Sequence, residues 1–282
     1  MKLSHIVKML AVAALVVCLF SIGNLLVIRS RYRTAEKLYE DAAESYTQPA
    51  VETPTGSDED AYAEQPVQRR EDCAPIVVDF AALQEINSDV FAWIYCEDSV
   101  INYPVVHSFD NDYYLEHAFN KEDSPSGAIF SDYRNSFGVQ DANTILYGHH
   151  MQNGTMFMTL KYWYDQDYYD AHPVMWLLTP EQDYKLELYS VHSTSAVSSI
   201  YNMYYEPSEE FIRYIEKAKE ESGFVSDVIP DPQLHHVVLS TCAYSFINER
   251  TVLHGQLLPM NSAAGIPFDG SAPQGELQDI PS

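Results

Sequence analysis

The sequence predicts a mainly β domain, barrel-like, with helices at its periphery. Three observations carry this expectation. Many short runs rich in Val, Ile and aromatic residues are bounded by turn residues, only one long amphipathic helix interrupts them, and the apolar-rich stretch from about Cys73 to Met260 has the size of one domain.

Taken in order, Met9 to Ile28 is an almost uninterrupted apolar run, long enough as a helix to cross a hydrocarbon core of about 30 Å. A cleaved signal peptide is the alternative, but the run exceeds the usual apolar core of about 7 to 15 residues and no small-x-small site follows it. Residues 1–28 therefore read as a cytoplasmic N-terminus and a transmembrane signal anchor. Lys2 and Lys8 precede the run while Arg29, Arg31, Arg33 and Lys37 follow it, so a plain count of basic residues opposes export of what lies downstream. Residues 29–72 read as a linking segment: a charged helical stalk from Ser30 to Glu44, then a flexible acidic tether from Ser45 to Asp72, too poor in aliphatic residues to offset its ordering entropy. Residues 73–260 form the expected domain, and 261–282 a disordered tail.

Within the domain, Asp79 caps a helix over Phe80 to Ile86, whose apolar residues recur at helical spacing. Phe91 to Tyr95 and Val100 to Val106 read as strands, Pro104 placing the second at an edge or bulge. Asp110 to Phe119 is a short helix or turn. Gly127 to Phe130 and Asn143 to Tyr147 are strands, Met156 to Tyr164 is helical, and Val174 to Leu178, Tyr184 to Thr194 and Leu234 to Thr241 are strands again. The long helix has Pro207 in its first turn, Phe211, Tyr214, Ile215 and Ala218 on one face, and Gly223 beyond its end. Thr251 to Leu258 is the last strand.

A formal net charge of -25 excludes a nucleic-acid partner, because a phosphate backbone needs a basic surface to release its counterions. That charge serves solubility or attracts a cationic substrate. Among the four cysteines no pair or Cys/His cluster has zinc spacing, so no metal site is expected. Cys73 and Cys96 are either a disulfide or two free thiols, because spacing does not place their Cα atoms.

The chemistry-bearing pattern is an apolar strand that ends in Ser240-Thr241-Cys242, followed after a polar and aromatic turn by Arg250 at the start of the next strand. A fixed cation beside a thiol favours the thiolate, and a guanidinium also offers a fork of donors to an oxyanion. A buried structural cysteine near a solvated arginine is the bland alternative. His149 supplies the third group, at the end of the strand Asn143 to Tyr147. Strand alternation sends His150 the opposite way, and His150, His235, His236 and His254 read as surface or satisfied polar residues. Ser240 and Thr241 either contact a substrate or satisfy strand backbone, and Tyr147 either lines a cleft or fills the core.

Here the sequence resembles a class B sortase. The resemblance rests on Val238-Leu239-Ser240-Thr241-Cys242 against the family's T-L-x-T-C signature, on Arg250 eight residues after the cysteine, and on Tyr147-Gly148-His149-His150-Met151. Ile101-Asn102-Tyr103-Pro104-Val105-Val106, Asp110-Asn111-Asp112-Tyr113-Tyr114 and Phe130-Ser131-Asp132-Tyr133-Arg134 extend it, so that it covers Asp79 to Leu258. Val238 departs from the usual threonine, a change expected to affect packing. The resemblance implies a closed eight-stranded sortase β-barrel with N-terminal helices and a long helix between the sixth and seventh strands. It implies a membrane-anchored, extracytoplasmic cysteine transpeptidase of Gram-positive bacteria. Cys242 would be the nucleophile, His149 the general acid and base, and Arg250 the oxyanion stabiliser or substrate positioner. The implied partners are a sorting-motif-bearing surface protein or pilin and a peptidoglycan precursor amine, and no cofactor is implied. An extracytoplasmic Cys/His peptidase and a non-catalytic wall-binding module on the same barrel are the alternatives.

Overall fold

Short β-branched segments cannot bury both faces alone, and here they do so by closing on one another. The computed structural model describes residues 3–50, 73–242 and 249–260; the acidic part of the tether at 51–72, the turn at 243–248 and the tail at 261–282 lie outside the described residues. In chain order the elements are α1 (Leu3–Tyr46), β1 (Thr47–Pro49), β2 (Ile76–Val78), α2 (Phe80–Ile86), β3 (Val90–Tyr95), β4 (Asn102–His107), α3 (Tyr113–Glu116), β5 (Ile129–Ser131) and β6 (Asn143–Tyr147). A 3-10 helix (Phe157–Tyr164), α4 (Gln166–Ala171), β7 (Val174–Leu178), β8 (Asp183–Ser195), a 3-10 turn (Ser199–Tyr201), α5 (Glu209–Glu220), β9 (His235–Cys242) and β10 (Glu249–Pro259) follow.

Strands β3 to β10 form a closed barrel in the order β10-β8-β7-β3-β4-β5-β6-β9, with β9 returning to β10. This is the expected eight-stranded barrel, with the long helix between its sixth and seventh strands. All neighbours are antiparallel except β4 with β5 and β6 with β9. Strand alternation sends Val237 and Leu239 of β9 into the core with Trp93, Leu146, Leu186 and Leu253, while Val238 joins Ile145 and Val252 on the outer face.

Helix α5 covers that outer face. Ser208 caps it by accepting from the Phe211 N-H at 3.1 Å, and Phe211, Tyr214, Ile215 and Ala218 are buried against the sheet. Pro207 precedes the cap instead of occupying the first turn. Under α5 lies a polar layer: His192 stacks on His254 with ring centroids 5.1 Å apart, and Tyr189 and Tyr214 flank them. His236 is satisfied. Its Nε2 lies 2.9 Å from the Asp231 carbonyl, which can only accept, so Nε2 carries the proton and Nδ1 accepts from the Tyr189 hydroxyl at 3.0 Å. His235 is also satisfied, its Nδ1 lying 2.8 Å from the Asp141 carbonyl. His254 departs from the expectation, being fully buried with neither ring nitrogen bonded among the described residues.

Pro104 stands, as expected, where β4 is locally an edge, although the strand has neighbours on both sides farther on. The proline is tolerated because the short β5 pairs with β4 only from Val105 onward, so no ladder donor is demanded at position 104. Cys73 and Cys96 are buried but not bonded to each other, and burial pushes the Cys96 thiol up to about 12.

Helix α1 leaves residues 11–28 exposed and apolar, and it is the one helix among the described residues long and apolar enough to cross a membrane. It is thus a candidate membrane anchor. Its last turns do not stand free. Ala35, Tyr39 and Ala42 are buried against the domain, and β1 then pairs with β2, Thr47 opposite Val78.

Candidate active site

The site begins with backbone register. Strand β6 runs parallel to β9 with Tyr147 opposite Ser240, and the Gly148 N-H donates to the Ser240 carbonyl at 3.1 Å. Counting on by the same register, His149 stands level with Cys242. On the other side of β9 the antiparallel β10 sets Arg250 directly opposite Cys242. Arg250 and Cys242 thus face each other on neighbouring strands, and His149 follows two residues beyond the end of β6, on the other side of β9.

Gly148 is required by close packing. A Cβ there would lie 2.5 Å from Ile129 Cδ1 and 2.7 Å from Phe157 Cδ2, so the backbone that delivers His149 runs hard against the wall of the barrel. The imidazole itself is half-buried, with Nε2 lying 2.7 Å from the Leu115 carbonyl at the end of α3. A carbonyl only accepts, so Nε2 carries a proton, and Nδ1 is the ring nitrogen left outside that bond. Arg250 is half-buried and directs one guanidinium nitrogen to the Glu249 carbonyl at 3.1 Å.

At the hydroxyl of Tyr147 lies a buried carboxylate, Asp132. Arg134 grips it with a fork, Nε to Oδ1 at 2.8 Å and Nη2 to Oδ2 at 2.7 Å, and the Tyr147 hydroxyl donates to Oδ2 at 2.8 Å. Asn111 adds a fourth contact at 3.2 Å. Burial pushes this carboxyl up, but the Arg134 fork and the tyrosine outweigh it and hold it below the usual carboxylate range. Burial and the neighbouring Asp132 charge push the Tyr147 phenol up. Tyr147 is half-buried and stacks on Tyr201 at 6.2 Å; the Tyr201 hydroxyl in turn meets the Ser240 hydroxyl at 2.9 Å.

Of the residues singled out in the sequence, His149, Cys242 and Arg250 come together by register. Ser240 is buried and held by Tyr201, and the Thr241 side chain is buried with no hydrogen-bond partner among the described residues. Sequence reasoning did not single out Asp132, Tyr201 or the Leu115 carbonyl. Asp132 stood inside a quoted segment, but nothing in the sequence says that the carboxylate is buried, and a backbone carbonyl carries no sequence signal.

Comparison with known proteins yields a consistent set. A family model described as the Sortase domain matches residues 94–258. Sortase B of Listeria monocytogenes is 34% identical over 178 residues, covering 62% of this chain and 72% of that protein. Sortase B of Staphylococcus aureus is 30% identical over 184 residues, covering 64% of this chain and 75% of that protein. Among solved structures, the substrate complex of S. aureus sortase B matches at TM-score 0.60 and 30% identity, covering 64% of this chain and 85% of that one. Sortase B from Bacillus anthracis, in complex with AAEK1, matches at TM-score 0.65 and 31% identity, covering 82% and 99%.

Proposed function

This chain belongs to the sortase family, in class B, and is a cysteine transpeptidase; on that premise we propose that Cys242, His149 and Arg250 carry the reaction, on a C-terminal sorting motif, outside the membrane. The observation that supports this reading is the register: Arg250 is paired with Cys242 across β9 and β10, and His149 follows the strand paired with β9 on its other side.

A free thiol has a pKa near about 8.5, so an imidazole must help it to ionise. The thiolate of Cys242 attacks a threonyl carbonyl, and the electron pair of the C=O bond moves onto oxygen, where the Arg250 fork stabilises it. Collapse breaks the C-N bond. The departing amine takes its proton from the His149 imidazolium, leaving a thioester. An incoming amine then gives up a proton to His149 and attacks the thioester carbonyl, which forms the new amide and releases the thiolate. Because the thioester stores the energy of the cleaved amide, no nucleotide is needed.

The acceptor is read as a cell-wall or pilin amine, and a solved sortase B similar to this chain is complexed with triglycine. The exposed apolar stretch of α1 supports single-pass anchoring; the wall-side orientation rests on the extracytoplasmic chemistry of the family and runs against the count of flanking basic residues.

Full-length protein in detergent micelles, given a library of sorting-motif peptides and candidate amines, tests the reading. Cys242→Ala and His149→Ala should each abolish cleavage, and Arg250→Lys should lower kcat/KM at least ~10-fold because lysine lacks the fork. Amine addition should divert product from free acid to ligated peptide. Undiminished cleavage by the Cys242→Ala protein would overturn the mechanism.

A further inference from the structure

Helix α1 is hydrogen-bonded to the residue that lies against the imidazole. We infer that α1 is a positioning element for His149, acting through Tyr39, so that the segment entering the membrane also sets the tautomer of the acid/base; this rests on the role proposed for His149.

Tyr39 lies eleven residues beyond the apolar run that ends at Ile28, and it is buried between Tyr103, an edge-on contact at 5.4 Å, and Phe119 at 5.9 Å. Its hydroxyl donates to the Gly127 carbonyl. Gly127 has φ +57, and a Cβ there would lie 2.5 Å from the Tyr114 carbonyl oxygen, 2.8 Å from that of Leu115 and 3.0 Å from Cδ2 of the His149 ring. The Gly127 backbone therefore lies close beside the hydrogen bond from the imidazole Nε2 to the Leu115 carbonyl.

A second path runs from the same tyrosine. Tyr103, against which Tyr39 packs, accepts the Met156 N-H at 3.0 Å, and Met156 bridges His150, the next residue after His149. The Phe157 N-H, one position on, donates to the His149 carbonyl at 3.0 Å. Tyr39 thus contacts Gly127, which lies against the imidazole, and Tyr103, which holds the backbone next to the segment bonded to His149. An anchor alone needs neither contact, since its apolar run ends before residue 29.

The test uses the full chain in detergent micelles. Tyr39→Phe keeps the ring and removes only the hydroxyl; Lys37→Ala, at an exposed position on the same helix, is the control. Tyr39→Phe should lower kcat per folded enzyme about five-fold, the effect of one hydrogen bond of ordinary strength, with KM unchanged. Melting temperature falls as well, because the buried Gly127 carbonyl loses its partner, so turnover is measured well below the melting transition of both variants. Imidazole 15N spectra should show one Nε2-H tautomer at His149 in the wild type and a mixture in Tyr39→Phe. The inference is overturned if Tyr39→Phe keeps wild-type kcat, if kcat falls only as the folded fraction falls, or if the tautomer is unchanged. If the wild type turns over no sorting peptide, the proposed function fails separately and the spectra alone decide the inference.

Discussion

Acidification should destabilise this fold through the histidines beneath α5. Burial lowers the pKa of His236 to about 4, against 6.5 for the free side chain, and drives that of His254 well below its ordinary value. Burial also lowers His192. A group whose folded pKa is depressed in this way binds more protons when unfolded. Its stabilisation is complete above about pH 6.5 and is lost as pH falls toward the folded value. For His236 alone the loss is about 2 kcal/mol between pH 7 and pH 5, and about 3 kcal/mol by pH 4. His254 and His192 add in the same direction. The groups facing this layer are Tyr189, Tyr214, Asp231, His235, Lys217 and Glu221; the Asp231 carboxylate acts to raise His236 and that of Glu221 to raise His192, but burial outweighs both. Urea unfolding of the full chain in micelles at pH 7 and pH 5 measures the loss. The surface charge of -25 acts oppositely, because protonation relieves self-repulsion, so the decisive quantity is a difference between proteins. His236→Gln should be less stable at pH 7 yet lose about 2 kcal/mol less than wild type on going to pH 5. Equal losses in the two proteins would refute the reasoning.

Two further substitutions test the surroundings of the site. Gly148→Ala should cost about 1–3 kcal/mol by overpacking against Ile129 and Phe157, and should lower turnover more than melting temperature because it displaces the backbone before His149; thermal melts beside peptide assays measure both. Ser208→Ala should destabilise by about 1 kcal/mol in urea while leaving kcat unchanged, since it removes the cap of α5 and no group of the site.

Strand-level structure was legible wherever a run was bounded by turn residues. Asn143 to Tyr147 and Val174 to Leu178 are strands over the residues expected, because β-branched and aromatic side chains there fit a half-buried pleat. The apolar face of α5 was equally plain. The β1-β2 pair was not legible: Thr47 to Pro49 sits in a polar stretch that reads as tether, and its partner begins 27 residues after Pro49 at Ile76. Tyr39 was hidden for a related reason, since a charged amphipathic helix says nothing about what it packs on. The meeting of His149 with Cys242 depends on parallel pairing of β6 and β9, and no local pattern specifies a pairing over that distance. There the family signature supplied what periodicity lacks.

The parallel pairing of β6 with β9 also has a consequence for how the chain is made. His149 and Cys242 are 93 positions apart, and β9 and β10 are the last strands of the barrel to be synthesised. Contacts between residues so distant form late, after the loop-closure entropy has been met. Until the C-terminal hairpin docks on β6, Cys242 has Arg250 opposite it but no histidine level with it. On the roles proposed for Cys242 and His149, reactivity therefore begins only with closure of the barrel, and an unfinished chain is kept from premature chemistry.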